Sequence, residues 1–143
     1  MHIPAFYEEI KSPSYIGFSQ QAVRDKDGKL SVSLEQSLAA GGKIEKASLE
    51  RLFCYCYRYN VLPCDLNRNN ILVQKTLQGE KWILVDGLGC TDWIPLAQYW
   101  AWWGRKKIIR KFHRFILNDK NLRIWFKNSA EIKQYLQQLT HHL

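Results

Sequence analysis

The sequence predicts a single α+β domain in which short antiparallel strands alternate with amphipathic helices. Three observations predict it. Two pairs of short β-branched and aromatic runs each flank a turn-forming stretch. Elsewhere apolar residues recur at helical spacing. The 143 residues are 46% hydrophobic, with six Trp and seven Tyr, which is enough for one core and too aromatic for a disordered chain.

The first strand pair is residues 5–10 (AFYEEI) and 15–23 (YIGFSQQAV), joined by the Ser/Pro turn KSPS. RDKDGK at 24–29 is a second turn, tightest at Asp27-Gly28. A short helix follows, capped by Ser33 and stopped by Gly41-Gly42. The next helix, over 48–60, carries Leu49, Leu52, Phe53 and Cys56 on one face, with Ser48 as its expected N-cap and Pro63 as its stop. CDLNRNN is a polar loop. ILVQ and KWILVDG then read as a strand hairpin joined by KTLQGE. Beyond residue 90 the chain reads as helix. Trp100 and Trp103 share one stripe, and Trp100, Trp102 and Trp103 are expected to pack in the core rather than cage a ligand. Ile108, Ile109, Phe112, Phe115 and Ile116 form a second stripe, and Ile132, Tyr135, Leu136 and Leu139 the face of a last helix.

Lys and Arg outnumber Asp and Glu by 21 to 13, a net charge of +8 that favours an anionic partner. Cys54, Cys56, Cys64 and Cys90 have no zinc spacing and read as free thiols of a reducing cytoplasm. Cys64 and Cys90 flank the two candidate site loops. No signal-peptide pattern and no run of membrane-spanning length is seen, and the expected location is cytoplasmic.

Chemistry concentrates around the central hairpin. Asp65 opens the polar loop, Asn70 follows five residues later, and Asp86 closes the second strand of the pair. Helix or strand periodicity does not explain an Asp and an Asn five apart. A loop that aims one side chain at a substrate and the other at a metal does. Mg²⁺ takes oxygen ligands, commonly one or two from protein and the rest from phosphate and water. Asn70 and Asp86 supply two such oxygens, and Asp65 could orient a hydroxyl or take its proton.

This order resembles the protein-kinase fold, with a catalytic-loop Asp, a metal-binding Asn and a metal-binding Asp on the next strand. The resemblance implies catalytic Asp65, metal ligands Asn70 and Asp86, and Mg-ATP as cofactor. It implies Leu72 beneath the adenine, Val23 beside it, residues 1–24 as a remnant of the N-lobe and hinge, and 25–143 as a mainly helical C-lobe. More narrowly, VRDKDGKLSVSLEQ (23–36), LNRNNILV (66–73), VDGLG (85–89) and IPLAQYWAWWGRKKIIRKFHRFI (94–116) resemble the bacterial YrbL family, named for its place in the PhoP regulatory network. The last block is the most specific, because ordinary kinases lack it.

Departures from the kinase pattern bear on activity. Pro63-Cys64 stands in place of His-Arg, Asn67 in place of a common Lys, and Gly87-Leu88 in place of Phe-Gly. No activation segment fits between Asp86 and the tryptophan-rich helix. No Gly-rich loop and no strand Lys precede the hinge, so phosphotransfer is expected to be weak or absent in this shortened chain. Two other readings stand beside it. One is a non-catalytic regulatory module that binds a protein partner or itself. The other is a basic surface, residues 105–114, that binds nucleic acid without sequence specificity or anionic lipid.

Overall fold

A computed structural model describes residues 1–86 and 101–141. The described elements are β1 (Phe6–Ser12), β2 (Tyr15–Gln20), β3 (Val32–Ser33), α1 (Leu34–Ala39), α2 (Lys46–Arg58), β4 (Ile71–Thr76), β5 (Gly79–Leu84), α3 (Ala101–Asn118), α4 (Lys120–Arg123) and α5 (Ser129–Thr140). The class is mixed α+β, as the strand and helix periodicities predict. Gly87, Leu88, Cys90 and Trp100 lie outside the described residues.

Strands form two antiparallel sheets, β1-β2 and β3-β4-β5. β1 and β2 turn through Pro13-Ser14, with Ser12 opposite Tyr15. β2 stops at Gln20, three residues short of the sequence expectation. The next residues leave the hairpin because the Val23 carbonyl accepts from the Ser31 N–H at 2.9 Å, across the second turn. The hairpin packs on no other named element. Phe6 (64%), Ile16 (72%) and Phe18 (60%) therefore remain exposed.

The turn at 25–29 closes through Asp25 N–H to the Lys29 carbonyl, with Gly28 at φ 83°, where a side chain would be strained. The Asp25 carboxylate ties this turn to β4 by accepting from Ser31 Oγ (2.5 Å) and the Lys75 N–H (3.0 Å). Two-residue β3 then pairs with β4, placing Ser33 opposite Leu72. Ser33 caps α1 as expected, in a reciprocal box with Gln36.

α2 differs at both ends from the expected 48–60. Glu45, not Ser48, is the N-cap residue. Ser48 is buried in the first turn because its hydroxyl is used elsewhere: it donates to the Glu80 carbonyl (3.1 Å) and accepts from Arg51 (2.9 Å), docking the helix on β5. The helix stops at Arg58, before Pro63 can act. Asn60 adopts φ 51° and the Val61 N–H donates to the Cys56 carbonyl, the left-handed closure that Asn tolerates. Asn60 also lies against Gly104 of α3, where a Cβ would come 2.1 Å from Asn60 Oδ1. Only glycine lets the two helices approach this closely.

β4 and β5 meet in a two-residue turn, with Thr76 opposite Gly79, so β4 runs two residues past ILVQ, and β5 starts two residues before KWILVDG and ends at Leu84. Ile71, Val73, Trp82 and Leu84 point to one face and are fully or almost fully buried. That face meets Leu49, Leu52, Phe53 and Cys56 of α2 and Ile108, Phe112 and Ile116 of α3. Phe53 and Phe112 meet edge-on at 5.2 Å. Burial of each such side chain contributes roughly 1.5–3 kcal/mol. Ile132 and Leu136 close the core from α5.

The tryptophans at 102 and 103 are exposed (58% and 44%), against the expected core packing. The buried stripe of α3 runs through Gly104, Ile108, Phe112 and Phe115, and residues 102 and 103 fall off it. The two rings instead meet each other edge-on, and the Lys106 ammonium lies 3.6 Å from the Trp102 centroid. Cys54 and Cys56 are free thiols, and burial pushes Cys56 up to about 12. No helix among the described residues is long and apolar enough to cross a membrane.

Candidate functional site

The loop from Cys64 to Asn70 is organised by one amide. Asn67 Oδ1 accepts from the N–H groups of Asn69 (2.9 Å) and Asn70 (3.1 Å), an Asx-type turn. Its Nδ2 donates to Asp65 Oδ2 at 2.7 Å. Asn67 matters in the sequence only as a departure from Lys; in the structure it shapes the loop.

Asp65 and Asn70, which the sequence reading aims at a substrate and a metal, bond to each other. Asn70 Nδ2 donates to the Asp65 carbonyl (3.0 Å) and to Asp65 Oδ2 (3.1 Å). Both partners are acceptors, which fixes the orientation of the Asn70 amide. Its Oδ1 is left with no hydrogen bond among the described residues. The Val85 N–H donates to the Asn70 carbonyl at 3.0 Å, carrying the β4–β5 ladder one pair beyond Ile71 opposite Leu84. Asp86 therefore follows at the same end of the hairpin as Asn70, and both Asp65 and Asp86 are exposed. The donor set offered by Asn70 and Asp86 is two hard oxygens. No group of three His, Cys, Asp or Glu among the described residues could hold a metal.

Arg68 reaches the other way, a feature the sequence analysis missed. Its Nε and Nη2 donate to the two carboxylate oxygens of Asp119, each at 2.5 Å, and Nη1 donates to Glu35 at 3.2 Å. The two carboxylates hold the guanidinium proton above its ordinary range. Asp119 also caps α4, accepting from the N–H groups of Asn121 and Leu122. An Asp before a short polar helix was the only signal, and nothing local pairs it with a residue 51 positions away. Lys111 adds a second tie by donating to the Cys64 carbonyl at 2.5 Å.

Two clefts flank these elements. The smaller, about 360 Å³, lies on the face of β4 and β5 opposite the core, lined by Val23, Gln74, Lys81 and Ile83. Leu72 is half-buried on that same face, paired with Ile83 across the ladder. Val23 and Leu72 thus lie on one side of the hairpin, with Asn70 and Asp86 at its end. His2 closes the edge of β5: its carbonyl accepts from the Leu84 N–H and its Nδ1–H donates to the Trp82 carbonyl at 2.7 Å. The larger cleft, about 650 Å³, lies between the Asp65 loop and the α3–α4 corner, lined by Asp65, Arg68, Lys111, Arg114 and Lys120 among others.

Comparison with curated proteins finds no match. The family model described as PhoP regulatory network protein YrbL matches residues 1–120, from the N-terminal hairpin through the Asp65 loop and the central hairpin to the α3–α4 corner. With that share of its length matched, the chain belongs to the YrbL family of PhoP regulatory network proteins.

Proposed function

We propose that this chain is a kinase-like protein whose polar loop and central hairpin form a phosphotransferase-type site of low activity. The observation that carries the reading is the Asp65–Asn70 clasp beside Asp86 at one end of the hairpin. The Asn70 oxygen facing away from the clasp and the Asp86 carboxylate fit Mg²⁺, which would draw its other ligands from ATP phosphates and water. Bound there, Mg-ATP would supply the transferable phosphoryl group. The cleft lined by Val23 and Ile83, with Leu72 paired to Ile83 on the same sheet face, would take the adenine.

The residues of the chain explain the low activity. Asp65 is held by two neutral amides, which orient its carboxylate. So held, it can align a hydroxyl. A cation that would stabilise charge on the transferred group is wanting in the loop, because Asn67 stands where kinases often carry Lys, and Arg68 is engaged by Asp119. Electrostatic stabilisation of that kind is usually the largest catalytic contribution.

The test is thermal unfolding with Mg-ATP against Mg²⁺ alone, for wild type and Asp86→Ala. Nucleotide at 100 times its dissociation constant stabilises by roughly 2.7 kcal/mol. A wild-type shift of several degrees that vanishes in Asp86→Ala is the expected result. No shift in the wild type refutes the nucleotide site.

A second reading is favoured by the β1-β2 hairpin, whose Phe6, Ile16 and Phe18 lie open. A kinase-like scaffold serving as a non-catalytic regulatory module would use that surface to bind a protein. A monodisperse monomer that binds no apolar dye counts against it.

A further inference from the structure

Resting on the reading of Asp65 as the residue that aligns an acceptor, we infer that the larger cleft binds the acceptor, and that the acceptor is a small hydroxylated compound carrying a phosphate or carboxylate. The cleft holds about 650 Å³, within the range of small-molecule sites. Asp65 lines it, so a ligand hydroxyl can meet the carboxylate from within the same space.

Charge identifies the ligand class. Arg68 on one wall is neutralised by Asp119 and Glu35. Lys111, Arg114 and Lys120 line the same cleft and form no ion pair among the described residues. Lys111 spends one N–H on the Cys64 carbonyl and retains two. Lys111 and Arg114 are three residues apart on α3, so like charges share a helix face at a cost to the fold. An anion between them relieves that repulsion. Arg114 can take a phosphate or carboxylate bidentately, while the lysines act as point charges. Asn118 and Asn121, also in the lining, offer amides to hydroxyl groups.

The proposal is tested by NMR titration of the ¹⁵N-labelled chain with glycerol 3-phosphate, glycerate, inorganic phosphate and glycerol at constant ionic strength. Glycerol 3-phosphate or glycerate should saturate and shift the side-chain signals of Arg114, Asn118 and Asn121, and which one does so identifies the anionic group. Inorganic phosphate should bind the same signals more weakly, and glycerol should not bind. Arg114→Gln with Lys120→Gln should weaken binding at least tenfold, whereas Lys133→Gln, on exposed α5 surface, should leave it unchanged. Lack of saturation by either acid, or equal weakening by Lys133→Gln, overturns the site. Binding should persist in Asp86→Ala, because nothing here depends on nucleotide. If the cleft binds its anion while Mg-ATP gives the wild type no thermal shift, the phosphotransfer reading fails and the acceptor role falls with it, leaving an anion site.

Discussion

Arg68→Ala should destabilise the domain far more than the loss of a surface ion pair. Arg68 is 25% exposed and Asp119 only 4%, so the pair is screened little by water. Two unit charges centred about 4 Å apart attract by about 4 kcal/mol at an effective dielectric of 20, and the desolvation of both groups offsets part of that. Truncating Arg68 leaves the Asp119 carboxylate buried and short of its cation, which typically costs about 3–5 kcal/mol. Asp119 keeps two backbone N–H donors from α4, which lowers the expected cost to about 2–4 kcal/mol. An exposed pair would cost about 0.2–1 kcal/mol.

Urea unfolding reads this directly. With a slope of about 1.5 kcal/mol/M, the midpoint should fall by roughly 1.3–2.7 M. Arg68→Lys should recover only part, because an ammonium cannot reproduce the two-pronged contact. In an Asp119→Asn background the same Arg68→Ala change should cost less than about 1 kcal/mol, since no buried charge is then stranded. A wild-type-background cost below about 1 kcal/mol, or a cost unchanged in Asp119→Asn, would refute the buried-pair argument.

Gly104→Ala should cost about 1–3 kcal/mol by overpacking against Asn60, and Asn60→Gly should recover much of it in the double variant, measured by the same unfolding assay. Phe53→Ala, at 0% exposure, should cost about 3–5 kcal/mol, whereas Asp65→Ala, on an exposed loop, should change the melting temperature little. His2 titrates below its ordinary 6.5 because burial, with Lys81 and Arg51 nearby, disfavours its charge. The unfolded chain therefore takes up the proton first, and stability should fall as pH drops below about 6.5, levelling once the folded-state His2 is also protonated. His2→Gln should flatten that part of the melting temperature–pH curve.

The sequence made the core faces legible because burial imposes a period. Leu49, Leu52, Phe53 and Cys56 on α2 and Ile108, Phe112 and Ile116 on α3 are buried as their spacing predicts, though Ile109 at the stripe's edge is only half-buried. The placement of Asp65 and Asn70 on one polar loop was legible too, but not their hydrogen bonds to each other. Ends of elements were not. Ser48 looks like a cap, yet its hydroxyl bridges to β5, a partner 32 residues away. Pro63 looks like a stop, yet the left-handed Asn60 acts first. The Trp102–Trp103 pair misled because aromatic size suggests burial, whereas its position off the Gly104 stripe decides the matter. Arg68–Asp119 could not be read at all: a long-range ion pair leaves no local pattern.

The loop's geometry does not depend on the N-terminal hairpin. Asn67 shapes it from within, Asn70 clasps Asp65, Val85 extends the β ladder to Asn70, and Arg68 and Lys111 anchor it to the α3–α4 corner and to α3. None of these bonds involves β1 or β2, which pack on each other and on no other named element; among the described residues, Gln20 reaches across, at 3.4 Å to the Val85 carbonyl. The candidate carboxylates and the basic cleft therefore belong to the helical part and central hairpin of the chain. Residues 21–23, which follow β2, line the smaller cleft, whereas the Asp65–Asn70 clasp and the larger cleft draw no residue from β1 or β2.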